Sequence, residues 1–167
     1  MAVLNRIKNL SFKQFFLLAS TFIKRPRYFF STHKATLRTV WICDKLFKKA
    51  HHKNNVTNAF RHGLWNVLIA KKCFLKNNSV EKSVEWAKSI TDLHEKMAPN
   101  AELEMIMDLH NNEIGRKLFA EKQMQNMEEE MIITVLKEKT ETAVKVSSIN
   151  EMKENKREFV YIEDLIT

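Results

Sequence analysis

Two glycines and two prolines in 167 residues leave this chain almost no turn chemistry. Hairpins draw heavily on Gly, Asn-Gly and Pro, whereas helices joined by short polar loops need few such residues. A many-stranded sheet is therefore excluded, and an all-α, single-domain helical bundle is expected. The length suits one domain with a real core, and a hydrophobic share of 44% removes the disordered alternative.

Charge is unevenly spread. Residues 1–53 carry twelve Lys or Arg against one acid, Asp44, which gives +11. The remaining residues carry sixteen bases against nineteen acids, which gives −3 and returns the chain total of +8. The basic third calls for an anionic partner, either a membrane surface or nucleic acid. Apolar residues interrupt the charges and no nucleic-acid motif is present, so the membrane surface is the better fit. Cys43 and Cys73 form no disulfide or zinc-ribbon spacing, which points to a reducing compartment. The expected place is the cytoplasm, with peripheral attachment to the inner membrane.

The first thirty residues place Arg6, Lys8 and Lys13 before the nine-residue run "FFLLASTFI" and Lys24, Arg25 and Arg27 after it. A bilayer crossing needs about 20 apolar residues, so this run does not span. No small-residue cleavage site follows it. Residues 1–30 therefore read as a basic amphipathic segment, either lying in a headgroup layer or packing its Phe residues on the domain. Pro26 is expected to end that segment, and residues 31–167 to form the helical domain.

Helices are expected over Ala35–Lys49, Val56–Phe74, Asn78–Met97 and Ala101–Lys122. Asn78 with Glu81 reads as a capping box and Asn100 as an N-cap. Another helix follows over "EEEMIITVLKEKTETAVKV", a short one opens at Ser148, and the tail is extended.

The helix from Val56 is apolar around most of its circumference, which makes it central. Successive residues turn by about 100°, so Asn58, His62 and Asn66 share one stripe of it. In the next helix His94 falls on the apolar arc, Glu95 at its margin and Asp92 on the wet face. In the third, Asp108, Asn111 and Asn112 point inward, Arg116 lies at the arc's edge and His110 faces water. Three helices thus direct polar groups into a shared interior, where each must be hydrogen-bonded or solvated.

The blocks "NAFRHGLWN" (58–66), "DLHE" (92–95) and "MDLHNNEIGR" (107–116), in this order, resemble an uncharacterised helical domain of bacterial proteins. That domain stands alone in small flavobacterial proteins and closes large secreted proteins of the polymorphic-toxin kind. The likeness covers residues 58–119, and Gly63 stands where Ala is usual. It implies site positions but no assigned reaction, and only the toxin-like setting leans toward an enzyme.

Two functional readings follow. In the first, the chain is a hydrolase. Its metal version has His62, His94 and Asp108 holding zinc while Glu95 activates water. Its metal-free version has Asp108 orienting a His, while Arg61 or an Asn stabilises developing charge. The candidate binding residues are Asn58, Arg61, Asn66, Asn111, Asn112 and Arg116. In the second reading the same polar groups satisfy one another and fix helix register in a non-enzymatic membrane-surface or partner-binding protein.

Overall fold

The structure, a computed structural model, describes residues 25–97 and 100–164. Most of the amphipathic segment expected over residues 1–30 lies outside them. The described residues form a helical bundle: α1 (Pro26–Phe47), α2 (Val56–Asn77), α3 (Val80–Met97), α4 (Glu102–Glu121), α5 (Glu129–Glu141) and α6 (Ile149–Glu154). Among them no helix is long and apolar enough to cross a membrane.

Helix α2 is the axle, with α1, α3, α4 and α5 all packed on it. Its start is fixed by Asn55, whose side chain accepts from the Thr57 N–H at 2.9 Å. Asn78 ends it in the left-handed conformation, φ 52°, with its N–H on the Phe74 carbonyl. Asn78 therefore closes α2 and does not cap α3, a task that falls to Ser79, whose Oγ accepts from the Lys82 N–H. Asn100 likewise is not a cap: Ala101 holds that position and gives its N–H to the Glu104 carboxylate. Ser148 does open α6, accepting from the Glu151 N–H at 3.3 Å.

Helix α1 starts at Pro26, well before Ala35, so a boundary after residue 30 would fall inside a helix. The physical reason is that Pro suits the first helical position, where its missing N–H has no partner to lose. Its Thr32 and Thr36 hydroxyls accept from the indole N–H groups of Trp86 and Trp65, at 2.9 and 2.8 Å. These bonds pin α1 across α3 and α2.

Helices α2 and α4 cross in backbone contact. A methyl group built on Gly115 would lie 2.6 Å from the Gly63 carbonyl oxygen and 2.7 Å from its Cα. Only a glycine at position 115 lets these backbones touch. The crossing sits beside His62 and one turn from Asn112, and so brings those side chains within bonding distance. Gly63 has a further occupant: the buried Phe159 ring fills the space where a side chain would stand, its Cζ 2.5 Å from the built methyl position.

The chain end completes the core. Strand β1 (Val144–Lys145) pairs in parallel with β2 (Val160–Tyr161), Val144 opposite Val160. The Asn111 side chain extends this pairing by giving Nδ2–H to the Val160 carbonyl and accepting the Val160 N–H, both at 2.9 Å. His110 gives Nε2–H to the Glu158 carbonyl at 2.8 Å and is half-buried, so it does not belong to the wet face. Both residues anchor the C-terminal segment.

Candidate active site

His62 lies on the inner face of α2, 3% exposed. Its Nδ1 is 3.0 Å from the Asn112 Oδ1 of α4, and its Nε2 is 2.9 Å from the Arg61 guanidinium. A guanidinium only donates, so Nε2 accepts and the imidazole proton sits on Nδ1, donated to Asn112. Asn112 is fully engaged: its Oδ1 also accepts from Asn66 Nδ2 at 2.7 Å, and its Nδ2 donates to Glu95 Oε1 at 3.0 Å. Behind it, Asn66 Oδ1 accepts from Thr91 and from Arg116, at 3.2 and 2.9 Å. The imidazole is thereby fixed in position and tautomer from beneath.

Two carboxylates flank the ring. Glu95 Oε1 lies 3.6 Å from Nδ1 and Asp108 Oδ1 lies 3.2 Å from Nε2, with Glu95 1% and Asp108 4% exposed. Burial first, and then the neighbouring Glu95 charge, push the Asp108 carboxyl up to about 8, against a smaller opposing pull from Arg61. Burial and the adjacent Arg61 cation hold the His62 imidazole well below its ordinary range. At neutral pH the pair is therefore a carboxylic acid beside a neutral imidazole.

Above this pair opens a cleft of about 600 Å3, walled by α1 (Thr36, Thr39, Val40), α2 (Asn58, Arg61, Trp65), α3 (His94, Glu95) and α4 (Glu104, Asp108). Among the described residues, four buried side-chain atoms lack a hydrogen-bond partner, and two of them, Asp108 Oδ1 and Thr39 Oγ1, belong to residues that line this cleft. An unmet buried polar atom costs about 1 to 3 kcal/mol, so both atoms would gain from a water or ligand group entering the cleft.

The inward residues expected from the helical stripes separate into three groups. Asn58, Arg61, His62, Glu95 and Asp108 meet at the cleft, and Asn66 and Asn112 lie beneath it. His94 and Glu95 exchange the places expected of them: Glu95 is the buried partner of His62, whereas His94 is half-buried at the rim, edge-on to Trp65 at 5.1 Å. Asn111 and Arg116 do not line the cleft; Asn111 holds β2, and Arg116 supports Asn66 from behind. Asp92 faces outward and pairs with Lys88.

Sequence reasoning missed the α1 wall and His52. Thr32, Thr36 and Thr39 recur at helical spacing in an otherwise basic helix, which was the available signal. His52 stands between α1 and α2, outside every helix expected from the sequence; it lines the cleft, while the buried His51 pairs with Asp44 at 2.9 Å.

For zinc, the ligand set differs from the expected His62, His94 and Asp108. His62, Glu95 and Asp108 each offer an atom within 4.8 Å of the others, a three-ligand set facing an open cleft. Both ring nitrogens of His62 are engaged, however, and a cation at Nε2 would have to displace Arg61. A thiolate nucleophile is absent from the described residues, since Cys43 and Cys73 are buried and burial pushes both thiols up to about 12.

No curated protein and no solved structure matches the chain. A family described as "Domain of unknown function (DUF6973)" matches residues 19–144, which span α1 to α5 and every residue of the cleft named above. The chain belongs to this family.

Proposed function

We propose that the chain is a hydrolase that works by general acid–base catalysis at the His62–Asp108 pair. The observation that carries the reading is the buried Asp108 Oδ1, without a hydrogen-bond partner and 3.2 Å from His62 Nε2 in the floor of an open cleft. An anionic or carbonyl oxygen of the substrate draws the Arg61 guanidinium off Nε2 and exposes the base. Water then adds to the acyl carbon or phosphorus and gives one proton to Nε2. The bond to the leaving oxygen breaks, and that oxygen takes the Asp108 proton. The imidazolium returns its proton to the Asp108 carboxylate across the short gap, so the buried pair begins and ends neutral. Arg61 and Asn58, bonded to each other at 3.2 Å, meet the charge that develops on the substrate oxygen.

The zinc version is the second reading, favoured by the three ligand atoms within 4.8 Å. Resemblance to bacterial domains that close toxin-like secreted proteins supports an enzyme in either version, by analogy alone.

The test is hydrolysis of p-nitrophenyl acetate and bis(p-nitrophenyl) phosphate by the purified chain, alongside elemental analysis. The expected result is turnover of at least one of them, lowered at least about a hundredfold in His62→Ala, with no stoichiometric metal. Stoichiometric zinc lost in the same variant would select the metal reading, and no turnover of either compound would count against the hydrolase.

A further inference from the structure

Helix α1 turns an apolar strip to solvent: Phe30 is 62%, Leu37 58% and Trp41 51% exposed. At about 100° per residue these three fall within roughly 40° of one another, so they form one line along the helix. Single exposed apolar residues are ordinary on a protein surface, but three large ones along one line of a helix mark a contact.

Each flank of the line adds something. On one side stand Lys34 and Lys45 together with Arg38, which is paired with Glu129 at 2.6 Å; the Arg38 guanidinium and the Lys45 ammonium lie 4.2 and 5.2 Å from the centre of the Trp41 ring. The single acid of residues 1–53, Asp44, is engaged by His51. On the other side are Val40, itself 40% exposed, and Thr36, and both belong to the wall of the cleft. The strip is therefore continuous with a basic row and with the mouth of the candidate active site. Basic residues beside exposed aromatic and aliphatic side chains match an anionic bilayer, where the cations meet headgroup phosphates and the Trp and Phe rings enter the acyl boundary. A nucleic acid would use the cations but leave Leu37 and Val40 without a role.

We propose that the Phe30–Leu37–Trp41 face of α1 docks on anionic phospholipid bilayers and that the cleft draws its substrate, an anionic phospholipid, from that surface. The docking half stands on the surface of α1 alone. The substrate half rests on the hydrolase reading: the lipid phosphate meets Arg61, and the ester bond to be hydrolysed reaches His62 and Asp108.

Docking is measured free of chemistry, by co-sedimentation of the full chain with diether phospholipid vesicles that contain no acyl ester. The expected result is binding to equimolar phosphatidylcholine and phosphatidylglycerol but not to phosphatidylcholine alone. Partitioning should fall at least about tenfold in the Phe30→Ser, Leu37→Ser, Trp41→Ser triple variant. That variant should hydrolyse the soluble p-nitrophenyl substrate as the wild type does, and should release product from diacyl vesicles of the same composition at least about tenfold more slowly.

Equal vesicle binding by wild type and triple variant would overturn docking through α1, whether residues 1–24 cover this face or bind the bilayer themselves. Binding to DNA or RNA with none to vesicles would overturn it in favour of nucleic acid. Vesicle binding as expected, with soluble ester turned over and diacyl lipid untouched, would overturn the substrate half alone. No turnover of the soluble ester would mark a failure of the hydrolase reading, with docking still decided by the diether vesicles.

Discussion

Replacing Asp108 with Asn is expected to stabilise the protein at pH 8 while lowering turnover at least about a hundredfold. The folded carboxyl titrates at about 8, pushed up by burial and by Glu95, whereas an unfolded Asp titrates near 4. Between those values the native state holds a proton that the unfolded chain has released. Stability from this group is therefore full below about pH 4 and is lost as pH rises toward 8. One proton sets a limit of about 1.4 kcal/mol per pH unit, so the advantage of Asp108→Asn over wild type should grow by roughly 2 to 4 kcal/mol from pH 5 to pH 8. His62 acts in the opposite sense: its folded imidazole resists protonation, so stability falls as pH drops below about 6.5. Both variant and wild type keep His62, and the difference between their urea curves at pH 5, 6.5 and 8 isolates the carboxyl. A gain in stability with a loss of activity is the signature of a group retained for function.

The Asn112→Ala substitution should do the reverse. Asn112 is fully buried and serves three buried partners at once: His62 Nδ1, Asn66 Nδ2 and Glu95 Oε1. Truncation removes all three bonds and leaves a cavity that no neighbour on the rigid Gly63–Gly115 crossing can fill by moving closer. A cost of roughly 3 to 5 kcal/mol follows from several unmet groups in one place. Urea unfolding at pH 7 reads it directly. The two substitutions lie on one helix, four residues apart, and their opposite signs would separate the reacting group from the group that holds it in place.

Much of this arrangement was legible in the residues. The shortage of Gly and Pro gave the helical class, and the all-round apolar surface of α2 gave its central place. The polar stripe of α2 and the Asp108 and Asn112 positions of α4 followed from a turn of about 100° per residue. The exchange of His94 and Glu95 shows where that argument stops. The apolar arc of α3, through Trp86, Ile90 and Leu93, pointed to His94, but the face lying closest to the core is a row of small residues. Ser83, Ala87 and Thr91 are fully buried at four-residue spacing, and Glu95 continues the row at 1% exposure. Small side chains mark the closest approach of two helices better than the most apolar ones do, because large rings such as Trp86 sit to the side of a contact. His94 then meets the Trp65 ring at the rim. The α1 wall was not legible for a different reason. Nothing local to residues 26–47 says which helix they cover, and the two indole bonds that fix the pairing connect α1 to side chains 29 and 54 residues away.

The proposed chemistry needs a protonated Asp108 beside a neutral His62 at physiological pH. The carboxyl carbon shift of Asp108, followed by NMR from pH 4 to pH 10, tests this most directly. A midpoint near 8, with the His62 proton on Nδ1 and the imidazole neutral at pH 7, is the predicted result. A midpoint in the ordinary carboxylate range near 4, with His62 charged at pH 7, would contradict it and leave the cluster a buried salt bridge of structural use.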